Sequence, residues 1–246
     1  MKQNIYNDNT FFEKYSRMRR SVKGLEGAGE WKTLEKMLPE FQDKRVLDLG
    51  CGYGWHCQYA IEHGAKSVIG IDISDKMLAV AAEKTSKEIQ YICQPIEDAA
   101  FPESSFDIVM SSLAFHYLES FDDIAHKVFS WLSDNGAFVF SVEHPVFTAY
   151  GAQDWHRDSN GNILHFPIDN YFYEGKREAN FLDEKVTKYH KTLTTYVNAL
   201  LQSGFGITGI VEPQPGEEML ATIESMKDEL RRPMMLIISA RKNASA

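Results

Sequence analysis

The sequence of 246 residues is poor in cysteine, in clustered basic residues and in long hydrophobic runs. Its three cysteines, Cys51, Cys57 and Cys93, form no CxxC pair, and their odd number argues against a disulfide framework. No Cys/His cluster has zinc-site spacing, so we expect no metal. No apolar run approaches the roughly 20 residues that cross a bilayer, and the first 20 residues lack the apolar centre of a signal peptide.

The charge balance excludes a further class of protein. The formal net charge is −9, with 26 Lys and Arg against 35 Asp and Glu. Nucleic-acid binding depends on clustered basic residues that release counterions from phosphates, so this composition argues against a nucleic-acid partner. We therefore expect a cytoplasmic protein, monomeric or homodimeric, with no membrane association.

Short β-rich runs alternate with helical segments along most of the chain. Five runs are nearly continuous in hydrophobicity, as buried parallel strands are. They cover residues 45–49, 67–72, 88–92, 106–111 and 136–142. Ser74 and Ser120 are predicted helix N-caps, and Gly64 and Gly136 are predicted to end helices. This alternation predicts a doubly wound α/β fold.

The last third continues the pattern after an interruption. Residues 143–185 are rich in aromatic and turn-forming residues with weak periodicity, which predicts an insertion after the fifth strand. From Val186 to Leu201, apolar residues recur at helical spacing, and Gly204 is predicted to end this helix. Two final strands follow, separated by a helix around residues 215–230. The first 44 residues are predicted to form helices ahead of the sheet.

The stretch "RVLDLGCGYGWH" places a GxGxG loop, at Gly50, Gly52 and Gly54, directly after the first strand. In such sheets, ligands bind beyond the carboxyl ends of the strands. A dinucleotide fingerprint is one residue longer, and the Asp48 carboxylate would repel phosphate and favour a cation. Asp72, at the end of the second strand, can accept hydrogen bonds from ribose hydroxyls. A nucleoside with a cationic end describes S-adenosylmethionine (SAM).

The segments "VLDLGCGYG", "GIDIS" and "FDIVMSSLAFHYL" resemble three motifs of class I SAM-dependent methyltransferases of the small-molecule type. The resemblance implies a Rossmann-like methyltransferase fold, with a seven-stranded, mostly parallel sheet and a reversed seventh strand. It also implies SAM as cofactor and S-adenosylhomocysteine (SAH) as product. We expect a single domain, with an N-terminal helical cap (1–44), a SAM-binding core (45–142), a substrate lid insertion (143–185) and a C-terminal helix and strands (186–246).

The same resemblance implies a set of cofactor-binding residues. Asp48 would line the methionine end, Asp72 would bind the ribose, and Ile73 and Met77 would flank the adenine. The full set is Tyr15, Arg19, Asp48, Gly50, Cys51, Gly52, Asp72, Ile73, Met77, Ile96, Glu97, Ser112 and Leu113. Pro95 stands where many relatives have Asp, so the adenine amino group has to be contacted from elsewhere, by the Ile96 backbone or Glu97.

The acceptor side is less defined by sequence. Methyl transfer from a sulfonium is an in-line displacement that needs a general base only if the acceptor still carries a proton. Candidate bases are His116, His144 and His190; the last falls on the apolar arc of a predicted helix, where a purely structural role is an alternative. Candidate substrate-binding residues are Tyr117, Glu143, Tyr150, Tyr171, Tyr173 and Arg177.

These patterns predict a SAM-dependent methyltransferase that acts on an oxygen or nitrogen atom of a small molecule. Two alternatives stay open: a non-catalytic protein that binds SAM or SAH, and a nicotinamide-dependent oxidoreductase, which the glycine spacing and Asp48 disfavour. Enzymes that methylate amino groups of DNA bases resemble one another in an Asn/Asp-Pro-Pro-aromatic motif after the fourth strand. This chain has "SSLA" at that place, which argues against methylation of DNA bases. The aromatic insertion is predicted either to cover the acceptor or to form a surface excursion or dimer contact.

Overall fold

A computed structural model describes residues 4–244 and contains a central seven-stranded sheet. The strands are β1 (Arg45–Leu49), β2 (Ser67–Asp72), β3 (Gln90–Cys93), β4 (Phe106–Ser112), β5 (Leu132–Glu143), β6 (His156–Arg157), β7 (Ile163–His165), β8 (Gly175–Phe181), β9 (Glu184–His190), β10 (Phe205–Val211) and β11 (Met235–Lys242). The sheet order is β10-β11-β5-β4-β1-β2-β3. Only β11 runs antiparallel to both of its neighbours, which confirms the predicted mostly parallel sheet with a reversed last strand.

Helices cover both faces of the sheet, and three of the helices precede β1 in the chain. They are α1 (Asn9–Ser16), α2 (Arg19–Lys23), α3 (Trp31–Met37), α4 (Trp55–Glu62), α5 (Asp75–Lys84), α6 (Asp122–Trp131), α7 (Pro145–Thr148), α8 (Leu193–Gln202) and α9 (Glu217–Thr222). Short 3₁₀ segments lie at Ile5–Asn7, Gly24–Gly27, Ile96–Asp98, Phe115–Tyr117 and Glu224–Arg231. Within residues 4–244, no helix combines the length and apolar character that a bilayer crossing requires.

The core explains why the strands are apolar along their whole length. Leu47 and Leu49 of β1 are fully buried in a cluster shared with α6 and α8, whereas Val46 is buried on the opposite face with α4. Because both faces are covered, successive residues of a strand are apolar, as in other parallel sheets. Each such side chain contributes about 1.5–3 kcal/mol on burial.

Of the two predicted N-caps, one is confirmed and the other is shifted by one residue. The Ser74 hydroxyl accepts a hydrogen bond from the backbone N–H of Met77 at 3.2 Å, which confirms the N-cap of α5. The Ser120 hydroxyl accepts from the N–H of Asp123 at 3.2 Å, but the N-cap of α6 is the next residue, Phe121. The prediction for Gly136 was wrong, because α6 ends at Trp131 and passes into β5 without a break.

The predicted helix from Val186 to Leu201 was wrong in its first part. Residues 184–190 form β9, which pairs antiparallel with β8, and α8 begins only after its N-cap, Thr192. The buried side chains of β9 are Val186, Lys188 and His190, which alternate as strand residues do. Two of these three buried residues are polar, so the sequence does not show the alternation of apolar and polar residues that usually indicates a strand.

The Asp107 carboxylate fastens three strands at the amino-terminal edge of the sheet. It accepts hydrogen bonds from the backbone N–H (2.9 Å) and guanidinium (2.8 and 3.0 Å) of Arg45, and from the Ser133 hydroxyl (2.9 Å). The hydrogen bonds from Arg45, chiefly, hold the pKa of Asp107 well below its usual range. One side chain in β4 thereby links the starts of β1 and β5.

We predict that Asp107→Asn lowers the free energy of unfolding by about 2 kcal/mol at neutral pH, the scale of hydrogen bonds to a charged group. Because the folded-state pKa is lowered, this contribution is complete above the unfolded value of about 3.9 and is lost as the pH falls through the folded value. Urea unfolding at neutral and acidic pH measures both effects.

The matched control is Glu178→Gln, which breaks an ion pair with Lys185 whose two side chains are exposed. Exposed pairs of this kind contribute little to stability, because water and salt screen the charges. Equal losses in the two variants would contradict the role of Asp107 as a fastening residue.

Candidate functional site

A cavity of about 750 Å³ lies at the carboxyl ends of β1, β2, β4 and β5. Its floor comes from the residues that end or follow these strands, including Gly50, Asp72, Ser112 and Glu143. The hairpin of β8 and β9 contributes Lys176, Asn180, Phe181, Thr187, Lys188 and Tyr189. The N-terminal segment contributes Ile5, Tyr6, Tyr15, Met18 and Arg20. Pockets that bind organic ligands measure roughly 300–1,000 Å³, so this one has room for a large ligand or for two.

The glycine loop needs glycine for steric reasons. At Gly50, φ is +79°, and a Cβ would lie 2.4 Å from the Cβ of Ala114 on the loop after β4. The backbone N–H groups of Gly50 and Cys51 both donate to the carbonyl of Ile71, at 2.8 and 2.9 Å. The loop is therefore tied to β2 and passes close to the β4 loop, which leaves its backbone exposed to the cavity.

Asp72 lines the cavity at the end of β2 and supports the loop. One carboxylate oxygen accepts from the N–H of Gly52 and the other from the N–H of Ser74, each at 2.9 Å. Burial raises the pKa of Asp72, and the backbone donors oppose that shift. A carboxylate has about four lone-pair directions, so each oxygen can accept one more hydrogen bond. Two neighbouring ribose hydroxyls fit this requirement.

Asp48 and Cys51 are not part of the cavity wall. Asp48 is buried beneath the loop, where it accepts a hydrogen bond from the Cys57 thiol at 3.4 Å, and burial raises its pKa to about 7. Cys51 is buried as well, and burial raises the pKa of its thiol to about 11. Neither side chain is among the residues that line the cavity, so the expected contact of Asp48 with the methionine end and the expected role of Cys51 in cofactor binding stay predictions.

The other predicted cofactor residues line the cavity, except that Arg20 lines it in place of Arg19. Tyr15, Gly52, Ile73, Met77, Ile96, Glu97, Ser112 and Leu113 all line it. Arg19 does not; its Nη2 lies 3.4 Å from Glu218, while the adjacent Arg20 reaches the cavity. Arg20 Nη2 contacts both carboxylate oxygens of the buried Glu30, at 2.8 and 2.9 Å. Neighbouring helical residues point about 100° apart, so sequence alone did not separate the two arginines.

Leu113 is held in a strained conformation beside the glycine loop. Its φ is +55°, in the left-handed region that branched and bulky residues rarely adopt. Its backbone N–H donates to the carbonyl oxygen of Ser141 at 2.9 Å and to the hydroxyl at 3.1 Å. Strained residues of this kind concentrate at functional sites, where the surrounding structure fixes them.

The far end of the cavity contains a buried ion pair that the sequence analysis did not predict as a unit. Lys188 Nζ lies 2.5 Å from Glu143 Oε1 and 2.8 Å from Gln153 Oε1, and the Gln153 amide donates to Glu143 Oε2 at 2.5 Å. The Lys188 side chain is only 2% exposed. Nearby, the hydroxyls of Tyr6 and Tyr117 lie 3.1 Å apart.

Of the three predicted bases, only His116 lines the cavity. His144 lies behind it, with Nε2 2.8 Å from the Glu212 carboxylate and Nδ1 accepting from the N–H of Val146 at 3.0 Å. His190 is fully buried, with Nε2 2.8 Å from the carbonyl of Tyr171 and Nδ1 2.7 Å from the Thr148 hydroxyl.

These contacts fix one tautomer for each ring. A backbone N–H donates to Nδ1 of His144, and another, that of Glu143, donates to Nδ1 of His116 at 3.3 Å. In His190, the carbonyl of Tyr171 requires a proton on Nε2. The proton therefore lies on Nε2 in all three, and the Nδ1 lone pair is already engaged. His116 consequently presents a donor, Nε2–H, which has no partner among residues 4–244.

Four predicted substrate-binding residues lie outside the cavity. Tyr150 and Tyr173 are exposed on the insertion, and the Tyr171 hydroxyl accepts from the N–H of Leu193 at 3.3 Å. Arg177 donates to the backbone carbonyls of Ala149 (2.9 Å), Asn170 (3.1 Å) and Lys176 (3.2 Å), and to that of Tyr173. Arg177 thus orders the insertion itself, whereas Tyr117 and Glu143 line the cavity.

Several cavity residues carried no recognisable signal in the sequence. Lys188, Phe181 and Asn180 reach the cavity only because β8 and β9 form a hairpin, and the hairpin was not predicted. Tyr6 lies in the short 3₁₀ segment ahead of α1. Among the described residues, no group of His, Cys, Asp or Glu side chains could hold a metal ion.

Fold and site together define an α/β protein that binds a nucleoside-containing ligand at the carboxyl edge of its sheet. A family model described as a methyltransferase domain matches residues 47–140. A crystal structure from Listeria monocytogenes, of a protein assigned to the S-adenosylmethionine-dependent methyltransferases, is 55% identical. That match covers 90% of this chain and 100% of the other, with a TM-score of 0.85.

Two further relatives are similar to this chain over most of their length. An S-adenosylmethionine-dependent methyltransferase from Mesorhizobium loti is 43% identical, covering 89% of this chain and 100% of the other, with a TM-score of 0.82. A Haemophilus influenzae protein, whose name states no activity, is 36% identical over 249 residues and 98% of each chain. The chain belongs to the class I SAM-dependent methyltransferases, and its cofactor is SAM.

We predict that Asp72→Ala weakens SAH binding about tenfold or more, because it removes two acceptors for ribose hydroxyls and the support of the Gly52 N–H. Calorimetric titration with SAH measures this loss, with NADH as the control ligand. Asp75→Asn, three residues later at the start of α5, removes an acid outside the cavity and should bind SAH normally. Wild-type affinity in Asp72→Ala would contradict the ribose assignment.

We predict that His116 stays neutral, with its proton on Nε2, from about pH 8 to pH 5, because burial lowers its pKa to about 3. Nitrogen-15 NMR of the imidazole reports both tautomer and titration, and His116→Asn assigns the signals. The urea-unfolded protein is the control, since its histidines titrate near pH 6.5. Titration of His116 near neutrality would contradict the engaged Nδ1.

Proposed function

We propose that the protein transfers the methyl group of SAM to an oxygen or nitrogen atom of a small molecule and releases SAH. One observation carries this proposal: a single cavity joins the glycine loop and Asp72 to a mixed polar and aromatic chamber around Tyr117 and Glu143. A cofactor and an acceptor can therefore meet inside one cavity. A protein that only sensed SAM would not need the second chamber.

The cofactor half of the cavity supplies complementary groups for each part of SAM. Asp72 would accept from the ribose hydroxyls, and Ile73 and Met77 would contact the adenine. Arg20 still has guanidinium donors beyond those given to Glu30, and it would bind the methionine carboxylate. Ser112 and Leu113 would form the wall beside the sulfonium, which SAM supplies as the methyl donor.

The insertion, residues 143–185 together with the remainder of β9, would act as a lid over the acceptor. Phe181 and Lys188 lie in its cavity-facing surface. Lys14 of α1 donates to the carbonyl of Leu182 at 2.9 Å and to Glu184 at 3.1 Å, which ties the hairpin turn to the N-terminal helices. Such a cover excludes water and strengthens electrostatic alignment at the reacting atoms.

The protein would accelerate transfer by alignment rather than by a histidine base. The leaving sulfide is neutral, so no acid is needed, and an oriented acceptor lone pair suffices for an in-line displacement. The engaged Nδ1 atoms of His116, His144 and His190 support a reaction of this kind.

Distant relatives do not narrow the acceptor to one atom. A malonyl-acyl-carrier-protein O-methyltransferase from Bacillus cereus is 24% identical, and a phosphoethanolamine N-methyltransferase from Plasmodium falciparum is 27% identical. These two proteins methylate different atoms on unlike molecules. The free thiols of Cys51, Cys57 and Cys93 support a reducing, cytoplasmic compartment.

We predict that SAH formation with a productive acceptor is nearly abolished in Asp72→Ala and retained in His144→Asn. Asparagine can accept the N–H of Val146 in place of Nδ1 and is a favourable N-cap for α7, so this change removes the imidazole without uncapping the helix. The measurement is SAH release over a panel of carboxylic acids, phenols, amines and thiols. SAH binding without release on any acceptor class would overturn the proposal in favour of a non-catalytic SAM-binding protein.

A further inference from the structure

The acceptor chamber presents hydrogen-bond donors beside the acidic residues Glu119 and Glu143. Lys188 is a buried ammonium, His116 presents Nε2–H, and the exposed Lys176 also lines the cavity. The Tyr6 and Tyr117 hydroxyls, bonded to each other, leave one proton for a ligand. These donors can bind a ligand that carries acceptors.

Lys188 has an unused donor in this chamber. An ammonium carries three N–H groups, and Glu143 and Gln153 accept two of them. No third oxygen acceptor is present among residues 4–244, and the ammonium makes a cation–π contact with the Phe181 ring, whose centroid is 5.2 Å from Nζ. Because the side chain is 2% exposed, bulk water does not satisfy the third N–H. A ligand oxyanion would bind this buried charged donor more strongly than an aromatic ring does.

Glu143 is poorly suited to remove a proton from the acceptor. Both of its oxygens already accept hydrogen bonds, from Lys188 and Gln153. Although burial opposes the shift, interactions with His116, Lys188 and Gln153 lower the pKa of Glu143. The carboxylate therefore keeps Lys188 charged and in place, and does not act as a base.

Resting on the methyltransferase function proposed above, we infer that the acceptor atom is a carboxylate oxygen held by Lys188 and His116, and that the product is a methyl ester. A lone pair of the carboxylate oxygen forms the new O–CH₃ bond. The S–CH₃ bond breaks, its electron pair stays on sulfur, and neutral SAH leaves. No proton moves, so the reaction needs no base, oxidant or further reactant.

The alternative acceptors require a base that the chamber does not supply. An ammonium group has no lone pair until it loses a proton, and an alcohol or phenol reacts readily only as its anion. His116, His144 and His190 have their Nδ1 lone pairs engaged. A carboxylate is already ionised at neutral pH, and it matches the donors of Lys188 and His116.

A binding experiment with three matched probes tests the charge preference. SAH-loaded protein is titrated by calorimetry with benzoate, benzamide and benzylamine, which share a ring and differ in the polar group. We expect saturable binding of benzoate alone. Equal or tighter binding of benzylamine or benzamide, or no saturable binding of benzoate, would overturn the inference.

The variant Glu143→Gln tests the inference by the direction in which benzoate affinity changes. The amide can still accept from Lys188, but it removes the negative charge that competes with an incoming oxyanion. We expect benzoate to bind at least about tenfold more tightly to this variant. A chamber built for cations would instead lose benzylamine affinity, and unchanged or weakened benzoate binding would contradict the assignment.

Lysine variants on the same strand provide a matched control. Lys188→Met should weaken benzoate binding about tenfold or more, whereas Lys185→Met removes an exposed lysine that pairs with Glu178 outside the cavity and should bind normally. Lys188→Met leaves the buried Glu143 carboxylate without its cationic partner. The double variant Glu143→Gln/Lys188→Met is therefore measured alongside it. Equal benzoate binding in the double variant and in Glu143→Gln would exclude a role for Lys188.

The product class separates this inference from the proposed function. With methyl-labelled SAM and the acceptor panel, label in an ester is released as methanol by mild base, whereas label in an amine or ether is retained. Base-labile label on carboxylic acids supports the inference. Base-stable label would overturn it while the methyltransferase function stands. No incorporation despite SAH binding would reject the function itself.

Discussion

The buried ion pair between Glu143 and Lys188 is the contact on which the arrangement of the site depends. Glu143 ends β5 at the carboxyl edge of the sheet, and Lys188 lies in β9 of the hairpin that covers this edge. Two charges removed from water are costly unless further hydrogen bonds satisfy them, and Gln153 supplies these to both. Losing one partner of such a pair typically costs about 3–5 kcal/mol, so the hairpin is held in one position over the cavity.

The same pair determines how charge is distributed in this part of the cavity. The backbone N–H of Glu143 engages His116, so the residue that fixes Lys188 also fixes the imidazole tautomer. The acceptor chamber is consequently preorganised as a set of donors whose protons do not move. Preorganised dipoles and charges cost no reorganisation during a reaction, and they contribute most where water is excluded.

The cofactor half of the site followed from the sequence, while most of the acceptor half did not. The glycine loop and Asp72 are adjacent to strands whose hydrophobicity is continuous, so topology alone placed them at one edge. The loop buries Asp48, which the spacing of the glycines does not reveal. Lys188 and His190 were read as helical because β9 buries two polar side chains, and no local pattern distinguishes such a strand from the start of a helix. Which of Arg19 and Arg20 points into the cavity depends on a rotation of about 100° along the helix, which the sequence does not reveal.

The chemistry of methyl transfer explains why a site of this kind needs fixed charges more than a titrating group. A sulfonium becomes neutral as the methyl group leaves, and a carboxylate becomes neutral as it receives that group, so opposite charges disappear together. A dry chamber favours this change, because it stabilises separated charges less than water does. The cation of Lys188 would then orient the carboxylate, and the carboxylate of Glu143 would keep that cation from holding the acceptor too strongly for displacement to proceed.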